Sequence, residues 1–455
     1  MGREGVNHMN GFRVILRRWR MTMMFLSKHR VFHVLLYITF IVGLCTPAAP
    51  NAANATPVVP LPRVSPPPQS MESNGASITL PKQAKLVFGM GADLTAVALV
   101  RETLENHGVR INDKAGNFEI YVGGPEETPE SEGILAKLGR EGPEALPADG
   151  YVLAIERSQG IKIVLSGKDA TGTYYAALTM SQLIQRQGES VRLPAVYIRD
   201  YPNFPFRGGE ESFYGPQWSW EDRYDQVDFL SEHKMNYFFY GPAEDDRTTG
   251  RAWRDLYPPE ELEKFRRLVE YSRAKHVNFL YRIGPESPQI GGSALGICHA
   301  RTADRDALIQ RLEQMYSIGV RTFVISWDDV TETFTCEEDA QRYGSGPIAL
   351  ATAQAEVLND IQERFFDVFP DVERGITIPS QYWLNEPTPY RSTFDELVTE
   401  SMDFYWTGPH VMSLRWKSRS RMSLLRNRHS LVTDFLSSII IRSTIITGID
   451  YCSAR

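Results

Sequence analysis

This chain has little that would anchor it, chelate a metal or grip a polyanion. The apolar run at residues 31–45 has about 15 residues, short of the roughly 20 needed to span a bilayer. Seven Lys/Arg against one Glu precede it in residues 1–30, and Ala53-Asn54-Ala55 follows as a small-residue cleavage site. Segment 1–55 therefore reads as an export signal, with an uncleaved membrane anchor as the alternative. Leu44 ahead of Cys45 is too bulky for a lipoprotein signal. Cysteine is scarce: Cys45 lies in the leader and Cys452 in the tail, which leaves Cys298 and Cys336 for the body. Export permits those two to pair; two free buried thiols are the alternative. No cluster with metal-ligand spacing is present, and no cofactor is expected. Gly89-Met90-Gly91 lacks the third glycine and the spaced acidic residue of a dinucleotide loop. The body also lacks positive charge. Residues 1–30 and 414–455 each carry a net +6, so the −7 of the whole chain leaves −19 between them, which argues against nucleic acid or an anionic membrane as partner.

What the chain does have is rhythm. After a proline-rich linker at 56–76, residues 77–201 alternate strands (85–89, 118–123, 151–156, 161–166) with helices (93–107, 171–187), as in a small α/β domain. From residue 206 the alternation becomes regular. Strands are predicted at 206–214, 236–240, 277–283, 322–327, 375–378 and 403–406, and helices at 220–233, 259–275, 304–318, 348–369 and 393–401. Ser219 three residues before Asp222 resembles a capping box, Pro258-Pro259 opens the second helix, and Gly319 closes the third. Repeated βα units of this length predict a (β/α)8 TIM barrel over 202–413, incomplete at about six units, with a doubly wound sheet as the alternative.

In such a barrel, chemistry sits at the carboxyl ends of the strands. The strand ends here offer Glu210, Glu211 and Tyr214, then Glu244, Asp245 and Asp246, then Arg282, then Asp328 and Asp329, then Gln381, Tyr382 and Trp383, and finally Trp406 and Thr407. Aromatic faces interleaved with carboxylates suit a sugar, whose ring stacks while its hydroxyls are hydrogen-bonded. The pair Asp328-Asp329 ends a strand-like run at 322–327. Adjacent carboxylates repel, so one keeps a proton longer than its neighbour, which suits an acid beside a permanent anion. A solvated Asp-Asp in a loop, or a calcium ligand pair, is the plainer alternative.

The segments 207–219 (Arg-Gly-Gly-Glu-Glu-Ser-Phe-Tyr-Gly-Pro-Gln-Trp-Ser), Lys234-Met235-Asn236, Asp245-Asp246, Trp327-Asp328-Asp329-Val330 and Trp406-Thr407-Gly408-Pro409 resemble glycoside hydrolase family 84. Residues 167–176 of the preceding domain are similar to that family's N-terminal domain. The resemblance implies a β-N-acetylglucosaminidase, of the kind that includes protein O-GlcNAcases and bacterial hyaluronidase-like enzymes, acting on N-acetylglucosamine-containing glycans or glycoproteins. It implies a retaining, substrate-assisted route in which the sugar's acetamido oxygen attacks the anomeric carbon to give an oxazoline. Asp328 would orient the acetamido N–H and Asp329 would serve as general acid and then base. Tyr382 would help hold the acetamido group, Thr407 and Val411 would line its pocket, and Ser212 and Phe213 would contribute to sugar binding. A catalytically inactive carbohydrate-binding relative is the alternative.

Three departures from the family pattern stand out. Pro242-Ala243-Glu244-Asp245-Asp246 has an acidic residue where the family places a lysine, Ser212 replaces a glycine, and the Trp-Asp-Asn segment of the seventh strand is not found. Residues 414–455 turn basic and serine-rich. They read as an atypical tail, out of frame or truncated, and poor folding with weak activity is the expectation that follows.

Overall fold

A computed structural model of the chain describes residues 61–286, 295–384, 386–408 and 410. The segment read as an export signal, Val411 and the tail lie outside the described residues. Among the described residues, no helix is long and apolar enough to cross a membrane.

The first domain is built on an eight-stranded mixed sheet. In chain order it comprises β1 (Ser70–Thr79), β2 (Gln83–Val87), α1 (Leu94–Asn106), β3 (Arg110–Ile111), β4 (Phe118–Val122), α2 (Glu130–Lys137), β5 (Tyr151–Arg157), β6 (Ile161–Gly167), α3 (Ala170–Leu183), β7 (Gln185–Gln187) and β8 (Ser190–Asp200). The spatial order is β1-β8-β5-β6-β4-β2-β3, with β7 paired to β8. Buried Val152, Leu153, Ala154 and Ile155 on β5, and Ile163, Val164 and Leu165 on β6, form a run apolar on both faces, as a central strand covered on both sides requires. Helices α1 and α3 are capped by Asp93 and Asp169, whose carboxylates accept from Thr95 and Ala96 N–H and from Gly172 N–H respectively.

Two differences from the sequence expectation have plain causes. Residues 70–76, assigned to the linker, belong to β1, which pairs antiparallel with β8; the alternation that marks a half-buried strand is nearly absent from Ser-Met-Glu-Ser-Asn-Gly-Ala-Ser-Ile-Thr, and its pairing comes from the partner strand instead. The helix expected to run to residue 187 stops at Leu183, where Ile184 turns to extended geometry and the chain enters a hairpin with β8.

Among the described residues, the second domain follows with six parallel strands in consecutive order. These are β9 (Gly208–Glu211), β10 (Tyr237–Tyr240), β11 (Asn278–Ile283), β12 (Thr322–Ser326), β13 (Arg374–Ile378) and β14 (Asp403–Phe404). Helices α4 (Trp220–Glu232), α5 (Pro259–Ala274), α6 (Thr302–Ser317), α7 (Glu337–Tyr343), α8 (Pro347–Ile361) and α9 (Pro389–Leu397) connect them, and α8 runs on as one π-helical turn, Gln362–Phe366. Ser219 and Asp222 cap α4 reciprocally. Helix α7 was not anticipated.

Strand side chains alternate between two faces, and here each face has its own core. Phe239, Leu280, Val324, Ile376 and Ile378 form one cluster with Tyr382. Phe238, Tyr240, Phe279, Tyr281, Phe323 and Ile325 point the other way into the helix layer, against Phe265, Leu268, Leu312, Leu358 and Phe365. A consecutive, all-parallel βα arrangement with an apolar inner cluster is the barrel architecture.

Candidate active site

The inner face carries the chemistry because of the period of two. Two residues beyond Leu280 lies Arg282; two and four beyond Val324 lie Ser326 and Asp328. Three polar groups are thereby stacked above an apolar layer on neighbouring strands β11 and β12, whose register pairs Arg282 with Val324. The Arg282 guanidinium donates through Nη2 to both Asp328 oxygens, 2.7 Å to Oδ1 and 2.9 Å to Oδ2. Its Nε donates to Ser326 Oγ at 2.9 Å, and the Ser326 hydroxyl in turn donates to Asp328 Oδ1. Arg282 and Ser326 are buried, and Asp328 keeps partial solvent access. A carboxylate gripped on both oxygens by one guanidinium is held in a fixed orientation.

Asp329 differs from its neighbour. It is exposed, and its backbone takes φ +58, a left-handed conformation uncommon for a residue with a side chain. Such strain at a strand end is characteristic of sites where a side chain has to be aimed. Tyr382 donates its hydroxyl to Asp329 Oδ1 at 3.0 Å. Burial first, and then the Asp329 charge, push the Tyr382 phenol well above its ordinary value, so it remains a donor at any working pH. One carboxylate is thus clamped by a cation, while the other faces solvent and, among the described residues, has a single phenol partner.

Beyond the pair, Thr407 is fixed by its N–H to Tyr382 O at 2.8 Å, and its hydroxyl donates to His410 O at 3.1 Å. Tyr382 and Thr407 therefore share one wall. Phe213 packs against Trp218 with ring centroids 5.4 Å apart, and its carbonyl accepts from Ala243 N–H. Ser212, beside it, is partly buried just beyond β9. Cys298 and Cys336 are joined by a disulfide that ties the loop after β11 to the loop after β12.

Several strand-end groups turn away from the pocket. Glu211 registers with Tyr240 on the helix-facing side, fully buried, with its carboxylate chelated by Arg223 at 2.7 and 2.9 Å. Asp245 is buried and accepts from Tyr240 and Tyr257 hydroxyls at 2.8 and 2.7 Å. Glu244 is exposed, and the contact it makes to Gln217 is through its backbone carbonyl. The segment Lys234-Met235-Asn236 serves the junction with the first domain: Lys234 Nζ donates to Asp200 at 2.9 Å and to Tyr151 OH at 2.8 Å, and Asn236 ties Arg207 N and Pro205 O. The Arg282–Ser326 clamp on Asp328 went unread at sequence level, although Arg282 stood among the strand-end groups; polar residues at inner-face positions of an otherwise apolar strand were the available signal.

Fold and site together define a βα-barrel protein with paired carboxylates at the carboxyl end of its fourth strand and a mixed α/β domain ahead of it. A family model described as beta-N-acetylglucosaminidase matches residues 207–433, and one described as glycosyl hydrolase family 20, domain 2, matches residues 61–201. The first match runs into the stretch set apart above as an atypical tail. The chain belongs to glycoside hydrolase family 84. It is 27% identical over 212 residues to the protein O-GlcNAcases of Rattus norvegicus and Mus musculus, covering 45% of this chain and 21% of each of theirs. A beta-hexosaminidase of Porphyromonas gingivalis is 28% identical over 190 residues, covering 39% of this chain and 22% of its own. The solved structure of CpGH84B superposes with a TM-score of 0.64 at 30% identity, over 77% of this chain and 57% of that one. CpGH84D, at 22% identity and a TM-score of 0.62 over 78% and 57%, shares the fold. The chain thus spans about a fifth of the length of the curated relatives it matches.

Proposed function

We propose that this chain is a retaining β-N-acetylglucosaminidase that uses the substrate's own acetamido oxygen as nucleophile. The observation that carries the reading is the asymmetry of the pair: Asp328 is chelated by Arg282, while Asp329 is exposed and touched by Tyr382. In the proposed reaction the acetamido N–H donates to Asp328 as its carbonyl oxygen bonds to the anomeric carbon. The bond to the leaving oxygen breaks, and that oxygen takes a proton from Asp329. The oxazolinium so formed faces the Asp328 anion. Asp329, now a carboxylate, removes a proton from the water that reopens the ring with net retention. Tyr382, Thr407 and Val411 would hold the acetamido group, and Ser212 and Phe213 would border the sugar.

The substrate class is a glycan or glycoprotein ending in β-linked N-acetylglucosamine, and the acidic body suits a neutral sugar better than a polyanion. Residues 1–55 would direct export and be removed, which agrees with a disulfide in the body. Domain boundaries near 201 and 413 form part of the same reading, with the first domain opening at Ser70 and not at residue 77.

Two aryl β-N-acetylglucosaminides with good and poor leaving groups test the reaction. Asp329→Ala is expected to lose roughly 10²- to 10⁴-fold on the poor leaving group and far less on the activated one, because protonation contributes little there. Asp328→Asn should harm both. Equal losses for the Asp329 variant on both substrates would remove it as the acid, and sugar binding without turnover would make the protein a carbohydrate-binding relative.

A further inference from the structure

Arg282 is the part of the site that the proposed chemistry leaves without a task. Its position is built, not incidental. Gly241, at the inner face just past β10, is where a side chain would collide with it: a Cβ there would stand 2.6, 2.8 and 3.2 Å from Arg282 Cδ, Cβ and Cγ. Gly284, after β11, likewise leaves room for Ser326, whose Oγ would lie 3.1 Å from an added Cβ. Two strand-end glycines thus clear a bed in which the guanidinium lies across to β12.

The hydrogen-bond inventory fixes what the guanidinium does there. Ser326 Oγ accepts from Arg282 Nε and spends its one proton on Asp328 Oδ1. Oδ1 therefore accepts twice, from Ser326 and from Arg282 Nη2, while among the described residues Oδ2 accepts from Arg282 Nη2 alone. A carboxylate oxygen has two lone pairs, so Oδ2 is the oxygen with an acceptor site to spare. We propose that Arg282 is a positioning residue that acts through Asp328: with Ser326 it fixes the carboxylate plane and presents Oδ2 to the acetamido N–H of the substrate. The inference rests on the glycosidase reading given above. It also supplies a fixed cation at the pocket floor from β11, in a chain whose second strand end offers Glu244 where a lysine was expected. Lysine could not substitute, because a single ammonium does not bridge Ser326 and both Asp328 oxygens in one plane.

A double-mutant cycle on an aryl β-N-acetylglucosaminide tests it. Arg282→Met is expected to lower kcat/KM by roughly 10- to 100-fold, chiefly in kcat, with its thermal melt still cooperative. In an Asp328→Ala background the same substitution should cost less than about threefold, since its only route to the reaction has gone. Arg282→Lys, which keeps charge and bulk, serves if the Met variant does not fold; it should lose about tenfold alone and again almost nothing beside Asp328→Ala. Additive losses, or an Arg282 variant as active as the parent, overturn the proposal while leaving the glycosidase reading in place. A parent chain that binds N-acetylglucosamine without turnover moves the cycle to affinity by calorimetry, where coupling supports the proposal and additivity overturns it. A parent that neither binds nor cleaves overturns the functional reading and this one with it.

Discussion

Gly241 carries no side chain because Arg282 fills the space where one would stand. At this scale the site is a set of exclusions, and they make a prediction of their own. Gly241→Ala adds a methyl that touches the stem of Arg282, not its flexible tip, so the guanidinium has to move off Asp328. The expected result is a loss of roughly tenfold or more in kcat/KM, with the melting temperature lowered by a few degrees at most for an overpacked rim position; activity equal to the parent's would show that the bed tolerates a Cβ. The carboxylate pair was legible in the sequence because two adjacent Asp residues end an apolar strand. The clamp on Asp328 was less so. Arg282 and Asp328 are 46 residues apart, and only strand register brings them together. Glu211 and Asp245 misled for the converse reason: each ends a strand, but one falls on the helix-facing parity and the other turns back onto buried tyrosines.

Among the elements, the loops after β11 and β12 are fastened twice. Besides the disulfide, fully buried His299 donates through Nδ1 to Asp339 Oδ2 at 2.9 Å and approaches Glu286 at 3.4 Å through Nε2. Asp339 lies in the first turn of α7, where it also accepts from the N–H groups of His299 and Ala300. Burial alone would lower the imidazole pKa, but the Glu286 charge and the Asp339 hydrogen bond outweigh it and raise it from 6.5 to about 9. The sign follows directly. A folded-state value above the unfolded one means the stabilisation is complete below about pH 6.5 and is lost as pH rises through about 9. The melting temperature of the parent should therefore fall between pH 6.5 and 9.5 relative to His299→Gln, whose own profile should be flatter over that window and lower at pH 6. Parallel profiles for the two proteins would show that His299 is neutral in the fold. Helix periodicity and terminus signals located α4, α5 and α6 within two residues at either end, because each buries one apolar face, Ser219 and Asp222 cap α4, and Pro259 opens α5. Helix α7, with seven residues, is held mainly by the contacts of Asp339 and the disulfide at its start, which leave no periodic trace.

For the molecule as a whole, alternation of βα units made the barrel class readable, whereas the union of the two domains was not. That union is polar. His276, in a left-handed turn ahead of β11, meets Asp93 at 2.9 Å and Thr171 at 3.1 Å and stacks on Tyr174. Arg207 pairs with Asp149 at 2.8 Å. Deepest is Lys234, in a left-handed conformation after α4, with Asp200 and the Tyr151 hydroxyl as partners and both charged groups nearly buried. Desolvation depresses the Lys234 pKa, and Asp200 only partly restores it, so the ammonium depends on its partner to remain charged. Each contact spans at least 34 residues of sequence, and nothing local announces it. Removing one member of a buried pair strands the other, which costs roughly 3–5 kcal/mol. Lys234→Met should leave Asp200 without its counter-charge at the junction, still accepting from the Tyr151 hydroxyl and the N–H groups of Gln69 and Tyr201, and lower the melting temperature of the barrel and the first domain unequally. Where the parent unfolds in one transition by calorimetry, the variant is expected to unfold in two, with early proteolytic cleavage in the short connection at residues 201–206. The double substitution Lys234→Met with Asp200→Leu removes the stranded charge and should recover most of the lost stability. If Lys234→Met instead melts in a single transition within a degree of the parent, the junction is held by its apolar contacts and the buried pair contributes nothing to it.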